Sequence, residues 1–365
     1  MPVGGYKVVY EYANCLAARG YSVDIVHPAR CRRDFPFLRR IRSDGEFWRR
    51  LIDKSYGPRL WFPLDRRVRV LWVRTLAERY IPDADIIIAT AWRTAEWVAE
   101  YGSRKGTKYY LIQHFEDWSG SSESVLQTWR LPLRKIVIAK WLGKIVEDLG
   151  RDYAYIPNGL DFSRFGLDVP IEARDPLQVM MLYHTEPWKG SREGLQAMEL
   201  IRRQYPRLRV TMFGVPAGDA LPHWVDYHRT PTQSKLRSLY NAAAIFLAPS
   251  WTEGWGLPAS EAMMCGAAVV ATDIGGHREF AHDGITAMLA APKDPRALAE
   301  KVIALMEHPR KRLELAQAGH QNIQQFTWQR ACDRLEAVLL TDSFWPQHPD
   351  RTSDIRTEPA PSSTS

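Results

Sequence analysis

Glu253 and Glu261 close the stretch EGWGLPASE, with seven residues between them, around Gly254, Gly256 and Pro258. Paired carboxylates on so short a turn suit three chemistries. They can act as acid and nucleophile on the two sides of a sugar bond, as in a glycosidase, although nothing else in the chain supports that use. They can belong to a dinucleotide fingerprint, since Gly254, Gly256 and Ala259 fit G-x-G-x-x-A and Asp273 follows the next apolar run. That fit is poor, because SWTE separates the preceding strand from the first glycine. Or the helix start between them can hold a phosphate or a developing negative charge. Pro258 stands where a first helical residue is expected, so the N–H groups around it are unpaired and face the end of the sheet. Each glutamate also has a plain alternative: Glu261 suits a first helical turn without any ligand, and Glu253 suits a solvated loop.

Other residues of chemical interest lie nearby in type, not in sequence. Lys189 in EPWKG is a cation at a helix start, where the dipole disfavours it, and this points to an anionic partner. His114 ends the run YYLIQH and precedes Glu116 and Asp117, weaker candidates for ligand contact. Leu236 and Tyr240 read as packing residues or, second to that, as contacts to a bound ligand. Asp83 and Asp85 imitate an Asp-x-Asp metal motif, but they precede the strand IIIAT as acids of a solvated turn, and no metal is expected. The four cysteines, Cys15, Cys31, Cys265 and Cys332, show no paired spacing and read as cytosolic thiols, without a disulfide.

The elements that must carry these residues follow from periodicity. Short β-rich runs (YSVDIVHP, VRVLWVR, DIIIAT, YYLIQH, KIVIAK, then QVMMLYH, LRVTMFG, AIFLAPS, AAVVAT) alternate with amphipathic helical stretches, which implies parallel sheets covered by helices. The 365 residues divide into a lobe over 1–165, a second over 166–327, a helix at 328–342 that packs back on the first lobe, and a disordered Pro/Ser/Thr-rich tail at 343–365. The first lobe opens directly on a glycine turn and helix, so its first, central strand is missing, and Met1 reads as other than the natural start. No apolar run is long enough to cross a membrane, and no leader for export is expected.

The net charge of +7 is concentrated in residues 1–150, which hold 26 Lys+Arg against 17 Asp+Glu. Between Arg30 and Arg50 eight arginines, among them Arg32, Arg33, Arg39 and Arg40, alternate with Phe35, Phe37, Phe47 and Trp48. This is either a solvated basic segment or a surface for anionic lipid or a phosphate-bearing acceptor. Nucleic acid is not expected, since no recognised binding module accompanies the charge.

EGWGLPASEAMMCGAAVVATDIGG resembles the Glu-x7-Glu motif of family-four retaining glycosyltransferases (glycosyl transferases group 1) of the GT-B fold. GGYKVVYEYANCLAARGYSVDIV, YIPNGLDFSRF, EPWKG and GITAMLAAPKDPRALAEKV resemble further segments of that family, from about residue 3 to about residue 340. The resemblance implies two Rossmann-like lobes facing a central cleft, with a nucleotide sugar on the second lobe and a glycan, lipid-linked or other hydroxyl acceptor on the first. It implies that Glu253, Lys189 and His114 serve catalysis, Glu253 holding the donor sugar and Lys189 the leaving diphosphate. Glu261 would take the ribose, while Gly254, Trp255, Gly256, Leu257, His184 and Gly5 complete donor binding. His184 stands where the family usually has an arginine, and a neutral imidazole offers one donor instead of five. No cofactor and no obligatory metal is implied, and the activity would be cytoplasmic or at the inner membrane face. A protein that binds nucleotide sugars without transferring them is the alternative, and an NAD-dependent oxidoreductase a remote one.

Overall fold

A computed structural model describes residues 4–31 and 37–341 of the chain. The first half runs α1 (Gly4–Ala18), β1 (Asp24–Arg30), α2 (Phe37–Asp53), β2 (Arg69–Thr75), β3 (Ile86–Ala89), α3 (Trp92–Glu100), β4 (Thr107–Ile112), α4 (Ser122–Arg130), β5 (Arg134–Val137), α5 (Lys140–Asp148) and β6 (Tyr153–Tyr155). Its strands pair in parallel, but as two separate sheets, β1-β2 and β3-β4-β5-β6. In a doubly wound lobe the first strand lies between the partners that β1 and β3 represent here. Among the described residues no strand joins them, and the sheet is divided at that point.

The glycine turn expected at the start is helical instead. Gly4 and Gly5 form the first turn of α1, and neither has the positive φ that a glycine loop would demand.

The second half contains β7 (Gln178–Tyr183), α6 (Ser191–Gln204), β8 (Arg209–Gly214), β9 (Val225–Arg229), α7 (Gln233–Ala242), β10 (Ile245–Ala248), α8 (Leu257–Met264), β11 (Ala268–Thr272), β12 (Met288–Ala290), α9 (Pro295–Glu307), α10 (Pro309–Ile323) and α11 (Trp328–Leu340). The six strands form one parallel sheet in the order β12-β11-β10-β7-β8-β9. This is the Rossmann arrangement, with the order reversing between β7 and β10, where ligands gather beyond the carboxyl ends of the strands. β10 and β11 are buried along their whole length, as expected for strands covered on both faces. Val179, Met180 and Met181 of β7 are fully buried, and each such side chain contributes about 1.5–3 kcal/mol.

The last described helix returns to the first. Trp328 packs edge-on against Tyr12, Arg19 pairs with Asp333 and Glu336, and the Tyr21 hydroxyl donates to Glu336 at 2.7 Å. This contact corrects the reading of two of the four cysteines as unpaired thiols: Cys15 of α1 and Cys332 of α11 are joined as a disulfide, with Cα atoms 6.4 Å apart, while Cys31 and Cys265 are free. They lie 317 residues apart in sequence, a separation that no local spacing rule detects. Arg32, Arg33 and the tail at 343–365 lie outside the described residues, as do the side chains of Arg39 and Arg40.

Candidate active site

The switch point between β7 and β10 gathers the residues that sequence singled out. Beyond β7 the chain passes His184 and a short 3₁₀ turn, Pro187–Lys189, then enters α6 through Gly190 in the left-handed region (φ 66). A Cβ on Gly190 would run into the Pro249 carbonyl, so this turn needs glycine twice over. The loop after β10 is stitched to it by Trp251, whose backbone N–H donates to the Trp188 carbonyl at 2.7 Å.

Where the two loops meet, Lys189 Nζ lies 2.8 and 2.9 Å from the carboxylate oxygens of Glu253. Ser250 Oγ donates to Glu253 Oε1 at 2.9 Å. The Glu253 side chain is only 12% exposed, and burial, the largest single influence, would raise its pKa; Lys189, through its charge and its hydrogen bond, together with His277 and His114 holds the carboxyl below its usual range.

Glu261 has the opposite electrostatic character. It lies in α8 and accepts a hydrogen bond from the Tyr240 hydroxyl at 2.9 Å, and burial raises its pKa against the lowering effects of Lys7, Tyr240 and Arg164. Tyr240 is therefore both a core residue, as expected, and the partner of Glu261. Helix α8 begins at Leu257, one residue before the expected Pro258, with Gly256 in the left-handed region (φ 103) at its cap. A Cβ on Gly256 would meet the ring of His277. His277 was not singled out by sequence, although it directly follows GG after a buried strand. Its Nδ1 donates to the Thr272 carbonyl at 2.9 Å, and burial pushes its pKa down.

The N-terminal lobe supplies the facing wall. His114 lies just beyond β4, and its Nδ1 is 3.1 Å from the Phe115 carbonyl, which can only accept, so Nε2 is left as the free acceptor. Burial lowers its pKa, opposed chiefly by Glu253. A Cβ on Gly254 would run into the Gln113 carbonyl and lie 3.4 Å from His114 Cδ2. Gly254 is thus a point of close backbone approach between the lobes. Trp141 Nε1 donates to the Gly254 carbonyl at 3.3 Å, and Trp118 stacks on Trp188 across the cleft with ring centroids 5.7 Å apart.

The remaining candidates are placed less centrally. His184 Nδ1 accepts the Glu186 backbone N–H at 3.0 Å, and burial, then Lys189, pushes its pKa down, so the ring is neutral where an arginine was expected. The Trp255 side chain is buried against Phe280 and Phe326, leaving only its backbone for a ligand. Leu257 touches the start of α1 near Gly4, and the Gln113 side chain lies beside Gly5. Glu116 accepts the Trp92 N–H at 2.8 Å and so serves the start of α3. Asp83 pairs with Arg104 and Lys105, as suits a structural acid. Among the described residues no cluster of His, Cys, Asp and Glu could hold a metal ion. Trp48 lies on α2, 60% exposed, apart from the switch-point cluster.

Comparison with known proteins agrees with this geometry. Residues 177–308 match the family described as glycosyl transferases group 1. A D-inositol 3-phosphate glycosyltransferase of Frankia alni is 31% identical over 185 residues, covering 46% of this chain and 44% of that protein. The chain thus spans less than half the length of this curated relative. Anabaena HepE, solved with UDP and glucose, superposes with a TM-score of 0.69 at 16% identity, covering 93% of this chain and 96% of that one. The sucrose-phosphate synthase of Thermosynechococcus elongatus gives a TM-score of 0.64 at 16% identity over 92% of each chain. These structural likenesses establish the fold, two Rossmann-like lobes in the GT-B arrangement. Residues 177–308, which carry Lys189, Glu253 and Glu261, are similar to the glycosyl transferases group 1 family.

Proposed function

We propose that the protein is a retaining glycosyltransferase that moves a sugar from a nucleotide-diphosphate donor to the hydroxyl of a glycan or lipid-linked acceptor. The observation that carries this reading is the Lys189–Glu253 pair at the switch point, opposite His114. Lys189 neutralises the diphosphate as the bond from the anomeric carbon to its phosphate oxygen breaks. The acceptor hydroxyl forms the new bond on the same face, and its proton passes to the departing phosphate, so neither glutamate needs to become a covalent nucleophile. Glu253, kept ionised, accepts hydrogen bonds from donor-sugar hydroxyls, and Glu261 holds the ribose. Free backbone N–H groups at the start of α8 face the developing charge. His114 presents Nε2 to the transferred sugar. No metal is needed in this scheme, because Lys189 and the helix start supply the electrophilic stabilisation.

The relatives support the donor class: one is a glycosyltransferase by name, and HepE was solved with UDP and with UDP-glucose. The test is release of free nucleotide from a panel of nucleotide sugars with acceptor extract. Tight donor binding with no turnover under any acceptor would favour the non-transferring alternative.

The first lobe also has a surface suited to an anionic membrane, and we include peripheral docking at the inner face in the proposal. Trp48 and Ile52 of α2 are 60% and 81% exposed, alongside exposed Arg49. Among the described residues no helix is long and apolar enough to cross a membrane. Sedimentation with liposomes tests the docking, and binding indifferent to anionic lipid content would end it.

A further inference from the structure

A second concave site shares no lining residue with the Lys189–Glu253 cluster. A cavity of about 260 Å³ opens where the two lobes and α11 meet, lined by Lys140 and Asn158 from the first lobe, Arg278 and His282 from the second, and Arg330 and Arg334 from α11. Glu279 is the single carboxylate in its lining, and it is already occupied: its oxygens accept the Lys140 backbone N–H and the Tyr155 hydroxyl. Arg278 is engaged by Asp273, at 2.6 and 2.7 Å. Among the described residues no carboxylate is paired with Arg330 or Arg334; Arg330 Nη1 donates to the Gln325 carbonyl at 3.1 Å, and Lys140 lies over the Tyr155 ring, 5.8 Å from its centroid, with its charge acting on Glu279. Arg330 and Arg334 stand one helical turn apart on the same face, where like charges repel unless an anion separates them.

A neutral group accompanies these cations. Asn158 is 2% exposed, and its Oδ1 has no hydrogen-bond partner. A buried amide oxygen without a donor is uncommon in a folded protein and suits a site that expects one from a ligand. Guanidinium groups match the oxygens of phosphate in a fixed fork, and the volume lies below the roughly 300–1,000 Å³ usual for drug-sized ligands. A small ligand with a phosphate at one end and a hydroxyl at the other fits both observations.

We propose that this cavity binds a small phosphomonoester, its phosphate held among Arg330, Arg334 and Lys140 and a hydroxyl donating to Asn158. Because the walls come from both lobes and from α11, the bound ligand favours one relative position of the lobes. Donor affinity then changes with it, and the coupling is reciprocal. The proposal stands apart from the transferase reading, since its primary readout is binding.

The test is calorimetric titration of the full chain with glycerol 3-phosphate and with inorganic phosphate, against sulfate and chloride at matched ionic strength. Saturable binding of the phosphomonoester is expected, weakened at least about tenfold in Arg330→Gln/Arg334→Gln, with UDP affinity of that variant in phosphate-free buffer within about twofold of wild type. Arg334→Gln alone changes one exposed side chain and keeps the test readable if the double variant does not fold. If the variants bind as wild type does, if chloride reproduces the effect, or if Lys189→Ala abolishes phosphomonoester binding, the proposal is wrong. Conversion of the probe to a glycosylated product would place it beside the donor sugar instead of in this cavity and would overturn the proposal. A changed UDP affinity without turnover identifies it as an effector.

Discussion

Lys189 and Glu253 neutralise each other: the ammonium sits 2.8 and 2.9 Å from the two carboxylate oxygens, in a site with little access to water. A donor diphosphate must therefore compete for a cation that is already engaged. In Lys189→Ala the Glu253 carboxylate loses its counter-charge, and in Glu253→Ala the lysine loses its orientation. Each change is expected to lower kcat/KM at least about tenfold, or about 1.4 kcal/mol of transition-state binding. Nucleotide release under steady-state conditions measures this, and wild-type turnover in both variants would refute the site.

His184 is neutral in this structure and its Nδ1 is taken by the Glu186 N–H. His184→Ala is therefore expected to change donor KM by less than about threefold at pH 7.5, whereas His184→Arg lowers it by about threefold or more through a charge aimed at the phosphates. Because the pKa is shifted down, wild-type donor affinity stays flat as pH falls from 8 toward the ordinary value of about 6.5. A steady tightening over that range would show that the ring protonates and binds phosphate after all.

Gly254 brings the C-terminal loop against the Gln113 carbonyl of the opposite lobe. Gly254→Ala forces one backbone to move, and a displacement of the order of 1 Å between reacting groups costs about a hundredfold in rate. The expected outcome is a large fall in kcat with the thermal midpoint lowered by only a few degrees. Unchanged kcat would mean that the lobes meet differently during turnover.

Glu11 of α1 gives a pH signature. Burial first and Asp161 second push its carboxyl up to about 7, above its unfolded value. The folded chain then binds a proton that the unfolded chain releases, so the stabilisation is present at low pH and is lost as pH rises through about 7. Glu11→Gln is expected to raise stability at pH 8 by about 1 kcal/mol, after a discount for partial exposure, and by less at pH 5. Thermal melts at the two pH values measure the difference, and an equal gain at both would exclude titration as its cause.

What sequence could reveal was what repeats locally. The buried runs QVMMLYH, AIFLAPS and AAVVAT are visible as β-rich segments, and the order of elements implies the parallel lobe that carries Lys189 and Glu253. The pairing of these two residues is also half legible, as a misplaced cation and an isolated acid. The contacts made across long separations were hidden. His277 beneath Gly256, Gln113 against Gly254 and Cys15 beside Cys332 depend on how lobes and termini meet, and no periodicity encodes that. The short α8 was misplaced by one residue, because a proline at either of the first two helical positions gives the same signal.

The return of α11 to α1 bears on how the chain folds during synthesis. Tyr12 and Arg19 near one end find their partners, Trp328, Asp333 and Glu336, near the other. A growing chain can assemble the six-stranded sheet of the second lobe before the first lobe is complete, because that sheet lies wholly within residues 178–290. The first lobe is thus completed by α11, the last described helix, only after the residues of the second lobe's sheet have been made.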